Sequence, residues 1–312
     1  MIRYVRHDKI NKKKWDTCIR NSFNGNIYGY SWFLNIVAEN WDALIEDDYR
    51  RVFPLPWKKK FGIYHLYQPF FTQQLGIYSQ NILSSEVVQN FIDHIPSKFK
   101  YIDLFLNSHN KIEKPAFKVV PQVNHELDLI KSHEDLRKSY SKNTLRNIKK
   151  AGKNGLSFVE NIKPERLVDL FRYNKGKDIP HLKENDYRRL RRLLYTCMYK
   201  RMAGFYGVYS AKNELVAAAV FLTATKRAVF IFSGLSEQGR NSGAMPFLID
   251  SFIGKFAHTH LTLDFDGSND PNLARFYKGF GAKKISYPRL TINKLPAYVR
   301  VPFWIWKELL KK

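Results

Sequence analysis

The stretch AVFIFSGLSEQGRNSGAMPFLIDSFIGKFA, residues 228–257, joins an apolar run to an amphipathic segment through small polar residues. The run at 229–232 is typical of a buried strand, and from Met245 on apolar residues recur at three- and four-residue steps, as in a helix. A helix that starts after small residues exposes backbone N–H groups at its positive end. Together with Arg240, this pattern predicts a seat for a phosphate or pyrophosphate in the loop 238–244. An ordinary strand–turn–helix connection is the alternative that the stretch leaves open.

Length and composition bound the class of protein. The chain has 312 residues, of which 44% are hydrophobic and 15% aromatic, enough for two packed domains. Cys18 and Cys197 form neither a metal pattern nor a disulfide framework. The opening residues MIRYVRHDKINKKKW contain no apolar signal core, and no apolar run reaches the length of a membrane span. We therefore expect a cytoplasmic protein without a metal.

The formal net charge of +24 is the outlier in the composition. A field of this sign attracts anionic partners: nucleic acid such as tRNA, phosphorylated cofactors, or the anionic inner surface of a membrane. Charge alone does not choose among them, and a solvated basic surface remains the alternative.

Two local similarities indicate a duplicated fold. Residues 75–80 (LGIYSQ) align with 233–238 (SGLSEQ), and residues 105–108 (FLNS) align with 265–268 (FDGS), at nearly equal offsets. We expect an N-terminal domain at 1–131 and a C-terminal domain at 154–312. In the first, short strands between 41 and 66 are separated by Pro54, Pro56 and three lysines, and a last strand lies near 127–129. Only the second half carries the glycine loop.

Between the halves, the segment 132–153 (SHEDLRKSYSKNTLRNIKKAGK) predicts a basic connecting helix. Five cations share one face of its helical wheel: Lys142, Arg146, Lys149, Lys150 and Lys153. This face is either a docking surface for a phosphate-rich ligand, with Lys142, Arg146 and Lys150 as candidate contacts, or a solvated face.

In the second half, residues 261–266 alternate as in a strand, and Asp270-Pro271 reads as the N-cap and first position of a helix. The order of elements and the loop Arg240-Asn241-Ser242-Gly243-Ala244 resemble the GNAT acyltransferases, whose phosphate loop has the form Gln/Arg-x-x-Gly-x-Gly/Ala. Met245 replaces the final small residue.

More specifically, three segments resemble the FemAB-like branch of tandem GNAT domains: 141–151, Asp266-Gly267-Ser268, and the tail 271–281 with Tyr277 before a glycine. The resemblance is clearest over residues 136–285. It implies an α/β fold of two GNAT-like domains, each a mixed sheet flanked by helices. It also implies acyl transfer to an amine, from acyl-coenzyme A in some relatives and from aminoacyl-tRNA to a cell-wall precursor in others.

The resemblance further implies roles for single residues. Backbone N–H groups near Ser233, Gly234 and Leu235 would meet the oxyanion. The donor would contact the loop residues Arg240, Asn241, Ser242, Gly243 and Ala244. Asp266 would orient or deprotonate the amine, and Tyr277 would protonate the leaving group. A capping carboxylate and a packed tyrosine are the structural alternatives.

The segment 173–181 lies on the acceptor side of such folds, with Tyr173 and Lys177 as candidate substrate contacts. It is otherwise a polar linker. The function predicted from sequence is an N-acyltransferase that uses acyl-coenzyme A. An aminoacyl-tRNA-dependent transferase and a non-catalytic binder of nucleic acid or anionic membrane remain the alternatives.

Overall fold

The computed structural model describes residues 1–113, 117–179, 182–267, 269–296 and 299. Contacts along the chain divide it into two compact units. The first comprises Met1–Gln122 and resumes at Tyr287, and the second is Val123–Ser286. These limits differ from the boundaries expected at 131 and 154, since the segment 132–153 lies inside the second unit.

The first unit is a sheet flanked by helices. Its strands are β1 (Ile2–Val5), β2 (Asn40–Glu46), β3 (Arg51–Lys60), β4 (Ile63–Tyr67), the short β5 (Tyr78–Ser79) and β6 (Phe99–Phe105), and its helices are α1 (Lys12–Asn21), α2 (Ser31–Val37) and α3 (Ser85–Asp93). The strand order is β1-β2-β3-β4-β6, with β5 pairing β3. Neighbours are antiparallel except β4 and β6, which are parallel.

The second unit repeats this pattern. Its strands are β7 (Lys118–Asp128, of which residues 123–128 lie in this unit), β8 (Ser157–Glu160), β9 (Ala203–Tyr209), β10 (Leu215–Ala224), β11 (Arg227–Leu235) and β12 (Thr262–Asp264). Its helices are α4 (His133–Lys138), α5 (Lys142–Lys153), α6 (Pro164–Tyr173), α7 (Glu184–Tyr199), α8 (Glu237–Ser242), α9 (Ala244–Phe256) and α10 (Pro271–Lys278). The order is β8-β9-β10-β11-β12, and again only the last pair is parallel.

In each unit the strand order continues with a strand that comes from elsewhere in the chain. In the second unit β12 pairs antiparallel with β7, through Asp264 and Glu126. In the first unit β6 pairs antiparallel with β13 (Lys283–Asn293). The strand predicted near 127–129 as the last of the N-terminal half therefore belongs to the second unit. The shared strand order agrees with the predicted duplication of the fold.

Pro54 and Pro56 do not separate strands, contrary to the prediction, because both lie inside β3. Residues 51–57 of β3 pair with β2, whereas pairing with β4 begins only at Trp57. Two prolines at alternate positions place both missing N–H groups on the same edge of the strand. We infer that they face the β4 side, where no β4 partner needs those donors.

The core of the second unit lies between its sheet and α9. Phe252 of α9 stacks on Phe221 of β10 with ring centroids 3.7 Å apart, and both rings are buried. Burial of side chains of this size stabilises a fold by about 1.5–3 kcal/mol each. The residues that predict the amphipathic helix from Met245 on are thus those that hold α9 on the sheet. No helix in the described part of the chain has the length and apolar content to cross a bilayer.

In the first unit, the end of β6 is covered by a segment of the chain itself. Leu75 forms a parallel bridge with Leu106, its N–H donates to the Phe105 carbonyl at 2.8 Å, and its own carbonyl accepts from the Asn107 N–H at 2.8 Å. Buried asparagines fix this segment: Asn107 Nδ2 donates to the Leu75 carbonyl, and Asn110 Oδ1 accepts from the Ile77 N–H at 2.7 Å. No gap is left beside β6 at this point.

A substitution at Gly76 tests how tightly the segment that covers the end of β6 is packed. Its φ is +102°, and an added Cβ would lie 2.1 Å from Asn110 Oδ1. We expect Gly76→Ala to destabilise the protein by at least about 3 kcal/mol, because it strains the backbone and breaks a buried hydrogen bond. Gly62→Ala is the matched control: its φ is +77° with nothing within 4 Å, so it should cost only about 1–2 kcal/mol. Equal losses in denaturant unfolding would show that the asparagine contact is unimportant.

Candidate functional site

Strands β11 and β12 stay paired over three residues only. The parallel register runs from Arg227 opposite Thr262 to Val229 opposite Asp264. Beyond that point β11 continues to Leu235, whereas the chain after β12 turns toward β7, with the Phe265 N–H donating to the His125 carbonyl. The last part of β11 therefore has no β12 partner among the described residues.

This separation frees backbone donors on one edge of β11. The Ser236 N–H donates to the Val216 carbonyl at 3.0 Å and so points to β10. Successive residues of a strand point their N–H groups to opposite edges. The N–H groups of Leu235 and, two residues earlier, Ser233 consequently point to the side that β12 has left. This is where an oxyanion was predicted to bind.

The polar segment after β11 is a helix, contrary to the loop that its glycines indicated. Ser236 caps α8 by accepting the Gly239 N–H at 3.0 Å, and the Gly243 N–H donates back to the Gly239 carbonyl. The N–H groups of Asn241 and Ser242 are used inside this helix. The prediction that these two residues offer backbone donors to a phosphate is therefore wrong.

A second helix start lies directly behind α8. Gly243 adopts a left-handed conformation, φ +81°, which ends α8 and begins α9 at Ala244. Two N–H groups, of Ala244 and Met245, have no helical partner there; Pro246 has none to offer, and Phe247 donates to the Gly243 carbonyl. The helix dipole adds positive potential at this point. Fewer backbone N–H groups are therefore left for an anion than the predicted loop would offer.

Helix α5 packs against this junction. A Cβ on Gly243 would lie 2.4 Å from the Asn147 carbonyl oxygen, so only glycine admits the contact as well as the left-handed φ. Ser141, the N-cap of α5, donates its N–H to the Gly279 carbonyl after α10. The segment expected to connect two domains is a packed part of the second unit.

These elements surround a pocket of about 470 Å³. It is lined by Asn147, Phe171, Lys175, Phe230, Ser233, Leu235, Gly239, Arg240, Gly243, Met245, Pro246, Leu273, Phe276 and Tyr277. A pocket of this size suits a small-molecule ligand. Among the predicted site residues it brings together Ser233, Leu235, Arg240, Gly243 and Tyr277.

Tyr277 is the lining residue with the chemistry of a proton donor. It is 6% exposed and stacks on Phe265, with ring centroids 4.6 Å apart. Burial, and after it the negative charge of Asp266, raises the pKa of Tyr277 well above its ordinary range. The hydroxyl therefore stays protonated at neutral and moderately alkaline pH.

Asp266 is held in place by a network on β7, β11 and β12. It is half-buried with φ +55°, and its N–H donates to Asp264 Oδ1 at 3.0 Å. Buried Asn124 donates its amide to the same oxygen at 2.7 Å and accepts the Gly267 N–H at 3.0 Å. Arg227 joins the remaining carboxylate oxygens, at 2.9 Å from Asp264 and 2.6 Å from Glu126. Asp266 itself is outside the described lining of the pocket.

Other predicted contacts lie away from the pocket lining. Lys142, Arg146 and Lys150 are exposed on α5, Tyr173 is 73% exposed, and Lys177 is exposed as well. Pro180 and His181 of the same segment, and Ser268, are outside the described residues. Gly234 serves packing, since a Cβ there would lie 2.8 Å from the Phe171 backbone nitrogen of α6.

Sequence reasoning missed several lining residues. Lys175 lines the pocket two residues from Tyr173, and Asn147 lies on α5 between the basic positions. The apolar wall, including Phe230 and Met245, reads in sequence as ordinary core. Within the described residues, no three His, Cys, Asp or Glu side chains form a group that could hold a metal ion.

No family model and no curated protein matches the chain, but solved structures do. FemX matches with a TM-score of 0.60 at 12% identity, over 90% of this chain and 96% of its own. A conserved protein from Bacteroides thetaiotaomicron matches with a TM-score of 0.58 at 13% identity, over 93% and 99%. L-PGS from Bacillus licheniformis matches with 0.55 at 10% identity, over 96% and 97%. The chain thus has the predicted FemAB-like, GNAT-type α/β fold.

Removal of the Arg227 guanidinium tests the hydrogen-bonded network that holds Asp266 in place. Burial already raises the pKa of Glu126, against the opposing charge of Arg227. In Arg227→Met that opposition is lost, so the folded-state pKa of Glu126 rises further and folding favours its protonated form. We expect a loss of roughly 3 kcal/mol near neutral pH. The loss should grow as pH rises through the folded pKa and shrink at acid pH.

Arg289→Met is the matched control for this variant. It breaks a comparable ion pair, to Asp103 at 2.7 Å, on a more exposed site in the other unit. The free energy of unfolding should fall less in Arg289→Met than in Arg227→Met. A loss in Arg227→Met that does not depend on pH would contradict the role assigned to the buried carboxylates.

Proposed function

We propose that the protein is an N-acyltransferase that moves an acyl group from acyl-coenzyme A to an amine. The observation that carries the proposal is the open edge of β11, whose Leu235 and Ser233 N–H groups adjoin a pocket with Arg240 and Lys175 in its lining. The fold is that of acyl and aminoacyl transferases, which supports a transferase at the level of the fold. The acceptor would be the amine of a small molecule or of a cell-wall precursor.

The donor's anionic part would be met by Arg240, which forms no ion pair with a described residue, and by the Ala244 and Met245 N–H groups at the start of α9. An exposed guanidinium without a carboxylate partner is suited to phosphate oxygens. Lys175 adds a second cation. The carbonyl of the acyl group would then lie at the free edge of β11.

Transfer would form a C–N bond to the amine and break the C–S bond of the thioester. Leu235 and Ser233 would donate their N–H groups to the carbonyl oxygen as negative charge develops on it. Asp266 would orient the amine and take the proton it loses. Tyr277, which is protonated at neutral pH, would hydrogen-bond to the departing thiolate and give it a proton. The proton on Asp266 would be released to solvent and the Tyr277 phenolate reprotonated from solvent, so that both residues return to their starting states.

One observation favours a second donor, aminoacyl-tRNA. The N–H groups of Asn241 and Ser242 form hydrogen bonds within helix α8. Fewer backbone N–H groups therefore remain for a pyrophosphate than in a glycine-rich loop. The exposed cations of α5 would then contact the nucleic-acid backbone. Against a purely non-catalytic anion binder stands Tyr277, whose side chain lines the same pocket as Arg240.

Arg240→Gln tests the donor. Loss of a charge-assisted hydrogen bond to phosphate should reduce the binding free energy of acetyl-coenzyme A by about 1–3 kcal/mol, as measured by calorimetric titration. Lys226→Gln, at the β10–β11 turn at the opposite end of β11, is the matched control and should bind like wild type. If wild type does not bind coenzyme A thioesters but retains aminoacyl-tRNA at moderate salt, the second donor replaces the first.

Tyr277→Phe tests the proton donor. The variant keeps the ring that stacks on Phe265 and removes only the hydroxyl. We expect kcat to fall by about 10²–10⁴-fold with little change in KM or in unfolding temperature. Unchanged kcat would mean that Tyr277 only packs against the sheet.

A further inference from the structure

The lining of the pocket passes from exposed residues, which include its two cations, to buried apolar residues. Exposed side chains form the mouth: Arg240, Lys175 and, at 45% exposure, Leu273. The inner end is formed by buried Phe230 and Met245, each 7% exposed, and by the ring of Tyr277. A ligand that fits this gradient has an anionic part outside and an apolar part inside.

The charges of the lining are all of one sign. Lys175 and Arg240 are its cations, and none of the described lining residues is a carboxylate or a histidine. Asp266, whose charge acts on Tyr277, stands outside that lining. An ammonium group brought to the inner end would lose water without gaining a counter-charge, which is costly in apolar surroundings.

The size of the pocket adds a third constraint. The volume of about 470 Å³ is shared by the whole donor, but its buried part adjoins Phe230 and Met245, where water left by a short acyl group would find few polar partners. The affinity gained by leaving water for such a surface grows with the number of methylene groups that are buried. The apolar inner end therefore favours a hydrocarbon chain over water.

We propose that the inner end of this pocket takes the acyl group of the donor, and that this group is uncharged, apolar and longer than acetyl. The inference rests on the proposed function for the word acyl, but the chemistry of the site stands on the lining residues. It disfavours a cationic aminoacyl group in this pocket.

The first experiment uses simple amphiphiles that need no coenzyme A. Hexyl phosphate, methyl phosphate and 6-aminohexyl phosphate share one anionic head and differ in their tails. In calorimetric titration of the full-length protein, hexyl phosphate should bind at least about tenfold more tightly than each of the other two. Equal affinities, or no binding of any of them, would overturn the inference.

The second experiment separates this inference from the proposed donor. Hexanoyl-coenzyme A should bind at least about tenfold more tightly than acetyl- and β-alanyl-coenzyme A, since only its tail is both long and uncharged. If the three thioesters bind equally well, the inner end does not take the acyl group and the inference fails. If no thioester binds while the alkyl phosphates follow the expected order, the donor is wrong but the apolar site stands.

A matched pair of variants places the tail at the inner end. Met245→Glu puts a carboxylate there, and Met245→Gln keeps the shape without the charge. In Met245→Glu the preference for hexyl over 6-aminohexyl phosphate should fall by at least about tenfold, whereas Met245→Gln should keep it. An unchanged preference in a folded Met245→Glu, checked by circular dichroism, would mean that the tail lies elsewhere. The comparison of ligands on wild type decides the matter if the variant does not fold.

Discussion

The parallel pairing of β11 with β12 ends after three residues, and the candidate site of the second unit depends on this short ladder. Parallel strands that stay paired use their N–H groups on each other. Because the chain after β12 pairs with β7 instead, the N–H groups of Leu235 and Ser233 have no β12 partner among the described residues. Arg227 is the first residue of β11, and its guanidinium binds the carboxylates of Glu126 on β7 and Asp264 on β12. We infer that these contacts hold the three strands together just before β11 and β12 separate.

The first unit shows what happens when the same topology is closed. Its parallel pair β4 and β6 corresponds to β11 and β12, but the chain beyond β4 folds back so that Leu75 bridges to Leu106. Buried Asn107 and Asn110 then use their amides on that segment. The duplicated sheet therefore gives one open cleft and one sealed cleft. The short echo of residues 75–80 with 233–238 marks the corresponding places without showing this difference.

Sequence patterns predicted the elements well where the signal is local. The N-cap at Asp270 with Pro271 and the amphipathic run of α9 are found as expected, because capping and apolar spacing act within a few residues. They failed where the outcome depends on distant partners. The glycines of residues 238–244 look like a loop, yet Ser236 caps a helix and Gly243 is small because Asn147 approaches it from α5.

The candidate site was predicted only in part, because its residues come from elements that are distant in sequence. Arg240 and Tyr277 stand out by residue type, and both line the pocket. Phe230 and Met245 carry no such signal, since a buried apolar residue in a strand or helix is ordinary until a cavity is found beside it. The position of Lys175 depends on the turn after α6, which no periodic pattern describes.

Hydrogen exchange of backbone amides with and without a coenzyme A thioester tests the central claim most directly. The account predicts that the bound donor protects amides at residues 233–235 and 244–245, where β11 ends and α9 begins. Protection confined to the exposed face of α5, or to the first unit, would show that the open edge of β11 is not the site of transfer.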